Sequence, residues 1–202
     1  ALVPVDGLHG EHAPALGAVE LLDQVVERFE ERRLPALVPP DGDGHAPRRE
    51  RDLAVLDAAV PLVAVCFGHQ VLAQALGVTV AKAEVGWGVG AHDYEVVGTP
   101  QAWMTPPRSE LRLIASHQDQ VAVVPEGAQV LASSAFCDNA VCQIDNHILT
   151  FQGHPEFEQA YARELMLFRR QCIGEEVYLS GMQSLGREHQ GGRVGRWILN
   201  FL

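Results

Sequence analysis

The sequence has no long apolar segment. No run approaches the roughly 20 apolar residues that a membrane-spanning helix needs, and the first residues, ALVPVDGLHGEH, lack a basic segment followed by an apolar one. Repeats and low-complexity tracts are also missing, and 47% of the residues are hydrophobic. These features predict a globular, cytoplasmic protein, with one domain over residues 1–202.

Basic residues and cysteines are both scarce. The chain has 15 Lys and Arg against 26 Asp and Glu, a formal charge of −11, which argues against nucleic-acid binding. No C-x-x-C pair occurs among the four cysteines, so we expect reduced thiols. They are Cys66, Cys137, Cys142 and Cys172. No His or Cys partner repeats at zinc spacing, and no metal site is predicted.

Apolar spacing alternates between helix and strand periods in the first part of the chain. It predicts helices over residues 15–33, 52–59 and 68–77. Strands are predicted between them, over residues 34–39 and 61–66. This order predicts an α/β fold, three-layer and doubly wound (flavodoxin-like), with a mostly parallel sheet. Short β-rich segments between residues 78 and 154 predict antiparallel additions. A long helix follows from Pro155, with further helical patterns near 175–186 and 193–202.

One cysteine stands where a buried strand turns abruptly into a helix, in VCFGHQ (65–70). This arrangement is typical of a nucleophile elbow, because the turn lifts the Cys66 sulfur out of the sheet and the helix N-terminus favours a thiolate. The backbone N–H groups that follow, beginning with Phe67, then face a developing oxyanion. Taken alone, the residue could equally be a buried structural cysteine.

A histidine that could activate this thiol occurs 88 residues later (154 − 66), in FQGHPEF (151–157). A thiol needs a neighbouring imidazole to become a thiolate near neutral pH, and the imidazole needs an acceptor on its other nitrogen. Glu156, two residues after His154, is a candidate acceptor, although Glu is also common at helix starts for electrostatic reasons. The two stretches together favour catalysis.

These stretches resemble the class I glutamine amidotransferases. CFGHQ matches their C-x-G-x-Q box, GHPEF matches their H-P-E box, and SHQDQV (116–121) is similar to the S-H-x-D-x-V segment of GMP synthase-like members. The resemblance runs from residue 61 to at least residue 161. It implies a triad in which Cys66 is the nucleophile, His154 the general base and acid, and Glu156 the group that orients the imidazole.

The resemblance also implies contacts to the glutamine substrate. Gln70 would contact it, and Ser116 and His117 would flank its α-carboxylate and amino group. Each has another interpretation: Gln70 could be a polar residue of a first helical turn, and His117 a strand-end residue bonded to a backbone carbonyl. His69 is interpreted as structural and is left out of the triad.

The oxyanion hole is where the sequence departs from the family pattern. Ala64 stands where Gly is usual before x-Cys, and PPDGDG (39–44) replaces the usual Gly-rich loop. Prolines lack the N–H that an oxyanion requires, so Gly42 is the expected donor beside Phe67. We therefore expect weak catalysis by the isolated chain until a partner or substrate orders this loop.

The implied reaction is hydrolysis of the γ-amide of glutamine through a γ-glutamyl thioester, with ammonia passed to a separate synthase subunit or another acceptor. It requires no metal or organic cofactor. Two alternatives stay open: a stand-alone γ-glutamyl peptidase or hydrolase, and a catalytically degenerate binding or regulatory relative.

Overall fold

A computed structural model describes residues 60–202. The helices predicted over 15–33 and 52–59, the strand predicted over 34–39, and the Gly42 loop lie outside these residues. In chain order the described elements are β1 (Leu62–Val65), α1 (Phe67–Ala75), β2 (Val80–Lys82), β3 (Gly88–Val96), β4 (Glu110–His117), β5 (Asp119–Val121), β6 (Ala128–Ser133), β7 (Val141–Ile144), β8 (Ile148–Phe151), α2 (Gln159–Phe168), α3 (Arg170–Ile173), α4 (Glu175–Ser184) and α5 (Gly191–Phe201).

Six strands form the main sheet, in the order β1-β8-β7-β6-β3-β4. β1 and β8 run parallel, and the other neighbouring strands run antiparallel. β2 and β5 form a separate antiparallel pair. The predicted α/β class and its antiparallel additions are confirmed. Among residues 60–202, parallel pairing is limited to β1 and β8.

The two faces of the main sheet bury different side chains because successive residues of a strand point in opposite directions. On β4, Leu113 packs in a cluster with Val194 and Trp197 of α5, whereas Ile114 packs in a second cluster with residues of α2 and α4. Trp197 is buried and its indole N–H donates to the Pro106 carbonyl at 3.2 Å. An aromatic side chain of this size is a large contributor to a core.

α4 approaches β3 unusually closely, and a glycine permits it. A Cβ on Gly181 would lie 2.7 Å from Val89 Cγ2 and 2.9 Å from Met166 Sδ. Opposite it, Gly90 has a φ of +84°, and the Ala91 N–H donates to Ser184 Oγ at 2.8 Å. The helix is therefore bonded to the strand as well as packed on it.

The helix predicted from Pro155 begins later than expected and is interrupted. α2 starts at Gln159 and ends at Phe168, and Arg169 separates it from α3. The apolar spacing continues through the break because Met166 and Ile173 face the same cluster. Among the helices of residues 60–202, none has the length and apolar character that a membrane crossing needs.

Candidate active site

Cys66 sits at the turn between β1 and α1 in a backbone conformation that few residues adopt. Its φ is 50° and its ψ is −102°, a strained geometry that costs on the order of 1–3 kcal/mol. The Cys66 N–H donates to the Phe151 carbonyl at 2.6 Å, and its carbonyl accepts from the Gln70 N–H at 3.1 Å. These bonds hold the half-buried thiol at the carboxyl end of β1.

The alanine that departs from the family pattern fits this turn. A Cβ on Gly68 would lie 3.4 Å from the Ala64 methyl, which is an ordinary contact distance, and Ala64 is buried. Phe67 is the first residue of α1, where backbone N–H groups lie outside the helix's own hydrogen-bond ladder. Phe67 therefore follows the thiol directly at the start of α1, and Gly42, the other predicted oxyanion donor, lies outside the described residues.

His154 reaches the thiol because β1 and β8 are adjacent and parallel. Val65 pairs with Phe151, so the residues that follow the two strands emerge at the same edge of the sheet. The backbone N–H of His154 donates to the Ile114 carbonyl at 2.8 Å. The side chains of His154 and Cys66 are close enough to interact, and this interaction raises the pKa of His154.

Glu156 lies on the other side of the same imidazole. His154 Nδ1 and Glu156 Oε1 are 2.8 Å apart, and the Phe157 ring stacks on the imidazole with centroids 3.8 Å apart. Since Nδ1 faces the carboxylate, Nε2 is the ring nitrogen left to interact with the thiol. The chain after His154 turns so that Glu156 lies next to the imidazole. α2 therefore begins only after this turn.

The electrostatic state of His154 follows from these contacts. Burial lowers the pKa of His154, but the interactions with Cys66 and Glu156 outweigh burial and raise that pKa to about 9. Burial raises the pKa of Glu156, and the bond to His154 more than offsets this, so the pKa lies below its ordinary value. At neutral pH the imidazole is a cation beside a carboxylate.

Gln70 is bonded within the protein. Its Nε2 donates to the Asp119 carbonyl at 2.7 Å and to Gln152 Oε1 at 3.1 Å. Both amide hydrogens are thereby used, and Oε1 is the part of the Gln70 side chain that could accept a hydrogen bond from a substrate.

Ser116 and His117 have different surroundings. Ser116 is half-buried, and its Oγ accepts from Arg169 Nη1 at 3.4 Å. His117 is buried, with Nδ1 3.2 Å from the Asp119 carbonyl and its ring 5.6 Å from that of Phe136. Burial lowers the pKa of His117 to about 3, so the ring is neutral. His117 thus has a backbone carbonyl as a partner, and its contact with the substrate stays a prediction.

The other three cysteines and His69 have different surroundings from Cys66 and His154. Burial raises the pKa values of Cys137 and Cys142 to about 12, and Cys172 is exposed. His69 is buried with Nδ1 2.8 Å from Thr150 Oγ1. Over residues 60–202, no cluster of three or more His, Cys, Asp or Glu side chains could hold a metal ion.

Two residues near the site were not selected from the sequence. Gln152 is fully buried and lies between Gln70 and Cys66. Its signal was a polar residue directly after the apolar strand ILTF. Arg169, which donates to Ser116, is in the helix break, and the continuous apolar pattern gave no indication of it.

Comparison with known proteins agrees with the motifs and the fold. Residues 42–172 match the family described as "Glutamine amidotransferase class-I". Gamma-glutamyl peptidase 2 of Arabidopsis thaliana is 29% identical over 147 residues, which are 70% of this chain and 59% of that protein. One subunit of the glutamine-hydrolyzing GMP synthase of Methanoculleus marisnigri is 36% identical over 105 residues, which are 51% of this chain and 55% of that protein.

A solved structure supports the fold alone. A glutamine amidotransferase from Thermotoga maritima superposes with a TM-score of 0.60 at 18% identity, over 96% of this chain and 73% of that one. The chain belongs to the class I glutamine amidotransferase family, as its motifs predicted. It spans about half the length of the curated relatives that it matches.

Proposed function

We propose that the chain hydrolyses a γ-glutamyl amide bond, with Cys66 as the nucleophile. The observation that carries the proposal is the grouping of Cys66, His154 and Glu156 at the edge where β1 and β8 end. His154 interacts with Cys66, and its Nδ1 lies 2.8 Å from Glu156 Oε1. A nucleophile bonded to a base, with the base oriented by a third group, is the arrangement that covalent catalysis requires.

In the first half of the reaction the Cys66 thiolate attacks the γ-carbonyl carbon of the substrate. The Phe67 N–H, with a second donor predicted at Gly42, stabilises the oxyanion. The tetrahedral species collapses as the C–N bond breaks, and the leaving amine takes a proton from His154. Because its pKa is raised to about 9, His154 holds that proton at neutral pH.

In the second half a water molecule attacks the γ-glutamyl thioester. His154, now neutral, accepts the proton from this water, and the C–S bond breaks to release glutamate and restore the thiolate. Glu156 keeps the imidazole oriented in both halves. Gln70, through Oε1, and Ser116 are proposed to contact the α-amino and α-carboxylate groups of the substrate. His117 is proposed to help shape the substrate pocket through the hydrogen bond between its Nδ1 and the Asp119 carbonyl.

Two kinds of substrate fit this chemistry, and a different relative favours each of them. The likeness to the Arabidopsis peptidase extends over 70% of this chain and favours a γ-glutamyl peptide. The likeness to the GMP synthase subunit favours free glutamine, with a synthase partner that uses the ammonia. Hydrolysis of free glutamine and of γ-glutamyl dipeptides, measured with and without a synthase partner, separates them. Activity on free glutamine that rises with the partner supports the amidotransferase.

The test of the proposal is Cys66→Ala. Because the alanine side chain cannot form a thioester, we expect hydrolysis to fall by a factor on the order of 10⁴ or more. Cys172→Ala is the matched control, since it removes an exposed thiol and should leave the rate unchanged. Equal rates for the wild type and Cys66→Ala would overturn the mechanism. Absence of hydrolysis and of any covalent γ-glutamyl adduct on Cys66 in the wild type would favour a degenerate binding relative.

A further inference from the structure

The side chain of Gln152 joins two parts of the proposed site. It is fully buried, and its Nε2 lies 3.8 Å from Cys66 Sγ. Its Oε1 accepts a hydrogen bond from Gln70 Nε2 at 3.1 Å. One buried amide thus contacts both the nucleophile and a residue of the first helical turn after it.

The direction of this chain of bonds is fixed at its far end. The Asp119 carbonyl can only accept, so the Gln70 atom 2.7 Å from it must be the Nε2 donor. The second hydrogen of that nitrogen then requires an acceptor, which is Gln152 Oε1. Gln152 has only its N–H groups left to present to Cys66. A reversed Gln152 amide would place two donors against each other.

We infer that Gln152 is a positioning residue that holds an N–H donor against the Cys66 sulfur and thereby favours the thiolate. The inference rests on the proposed function of Cys66 as the nucleophile. A hydrogen bond to the charged form of a group favours that form, and the effect is stronger where water is excluded. His154 also interacts with Cys66, so the imidazole and the buried amide act on the same thiol.

The position of the strand end does not depend on the Gln152 side chain. The Gln152 backbone N–H donates independently to the Ala140 carbonyl at 2.8 Å. That bond persists when the side chain changes, so the strand end keeps its place. An apolar residue of similar volume could fill the same space, whereas it could not donate to sulfur.

The test is the pH dependence of Cys66 alkylation by iodoacetamide, followed by mass spectrometry on the full chain. For Gln152→Leu we expect the pH of half-maximal rate to rise by about one unit, which is about a tenfold lower rate at neutral pH. Gln152→Glu should raise it further, because a carboxylate would face the sulfur. The limiting rate at high pH should be retained.

Gln143→Leu is the matched control, because that glutamine bonds the Asp145 carbonyl away from the site. Its alkylation profile should match the wild type. If Gln152→Leu does not fold, Gln70→Met provides a second variant: it releases the Gln152 amide, and we expect a smaller shift in the same direction. Profiles that coincide with the wild type in folded Gln152 or Gln70 variants, with only the melting temperature lowered, would overturn the inference.

This readout does not depend on turnover. If the Gln152 variants shift the profile but the wild type hydrolyses no γ-glutamyl amide, the proposed function fails and the assignment of Gln152 stands. If hydrolysis depends on Cys66 but the alkylation profile is the same in the Gln152 variants as in the wild type, the inference fails and the proposed function stands.

Discussion

Replacing Glu156 by glutamine should change the proton affinity of His154 in a measurable way. Burial lowers the pKa of His154, yet this pKa is raised from 6.5 to about 9. The interaction with Cys66 contributes first to the rise, and the bond to Glu156 contributes next. The substituted side chain would keep the shape but lose the negative charge. Because Glu156 is 53% exposed, solvent screens part of the interaction, and we expect the titration midpoint of His154 to fall by about one pH unit.

The direct measurement is NMR of ¹³C-labelled histidine, with the His154 signal identified from a His154→Asn variant. At pH 8.5 the protonated fraction should drop from about three quarters to about one quarter, whereas at pH 6.5 it should hardly change. Glu158→Gln is the control, because it removes an equally exposed carboxylate that has no bond to the ring. A midpoint that stays near 9 in Glu156→Gln would refute the assignment of Glu156 as the orienting group.

The same change has a consequence for stability. Since the folded pKa of His154 lies above its ordinary value, the protonated ring stabilises the fold below about pH 6.5, and this contribution is lost as pH rises towards 9. The melting temperature of the wild type should therefore fall over that range. In Glu156→Gln the fall should be smaller and end at lower pH.

Two further predictions concern thiols and packing. An electrophilic glutamine analogue should label Cys66 before the other cysteines, because Cys137 and Cys142 are buried with pKa values raised to about 12; mass spectrometry that finds either of these labelled first would contradict the assignment. Gly181→Ala should lower the free energy of unfolding by roughly 1–3 kcal/mol, since its Cβ would lie 2.7 Å from a valine of β3. Gly195→Ala, in α5 with nothing within 4 Å of the new Cβ, should instead stabilise by up to about 1 kcal/mol. Thermal or urea unfolding measures the change in the free energy of unfolding for both variants. If both changes have the same sign, the close contact of α4 with β3 is unimportant.

The sequence was informative where the chemistry is local. Cys66 lies at the end of a predicted strand and His154 with Glu156 lies two residues apart, so short motifs suffice to select them. The boundaries of α1 and α4 were also close to prediction, because each is a short amphipathic segment ended by turn residues.

What the sequence did not reveal depends on distant contacts. The pairing of β3 with both β4 and β6 joins segments whose apolar patterns are alike, so no local signal ranks the partners. The bonds that tie Gln152 to Gln70 join residues 82 positions apart.

The parallel pairing of β1 with β8 also governs when the site can exist during folding. Leu62 pairs with Ile148, 86 residues later (148 − 62), and the entropy of closing such a loop must be overcome before any contact compensates it. A nascent or partly folded chain therefore carries Cys66 without its imidazole. Recovery of rapid alkylation after dilution from denaturant would consequently report the pairing of β1 with β8, independently of helix formation.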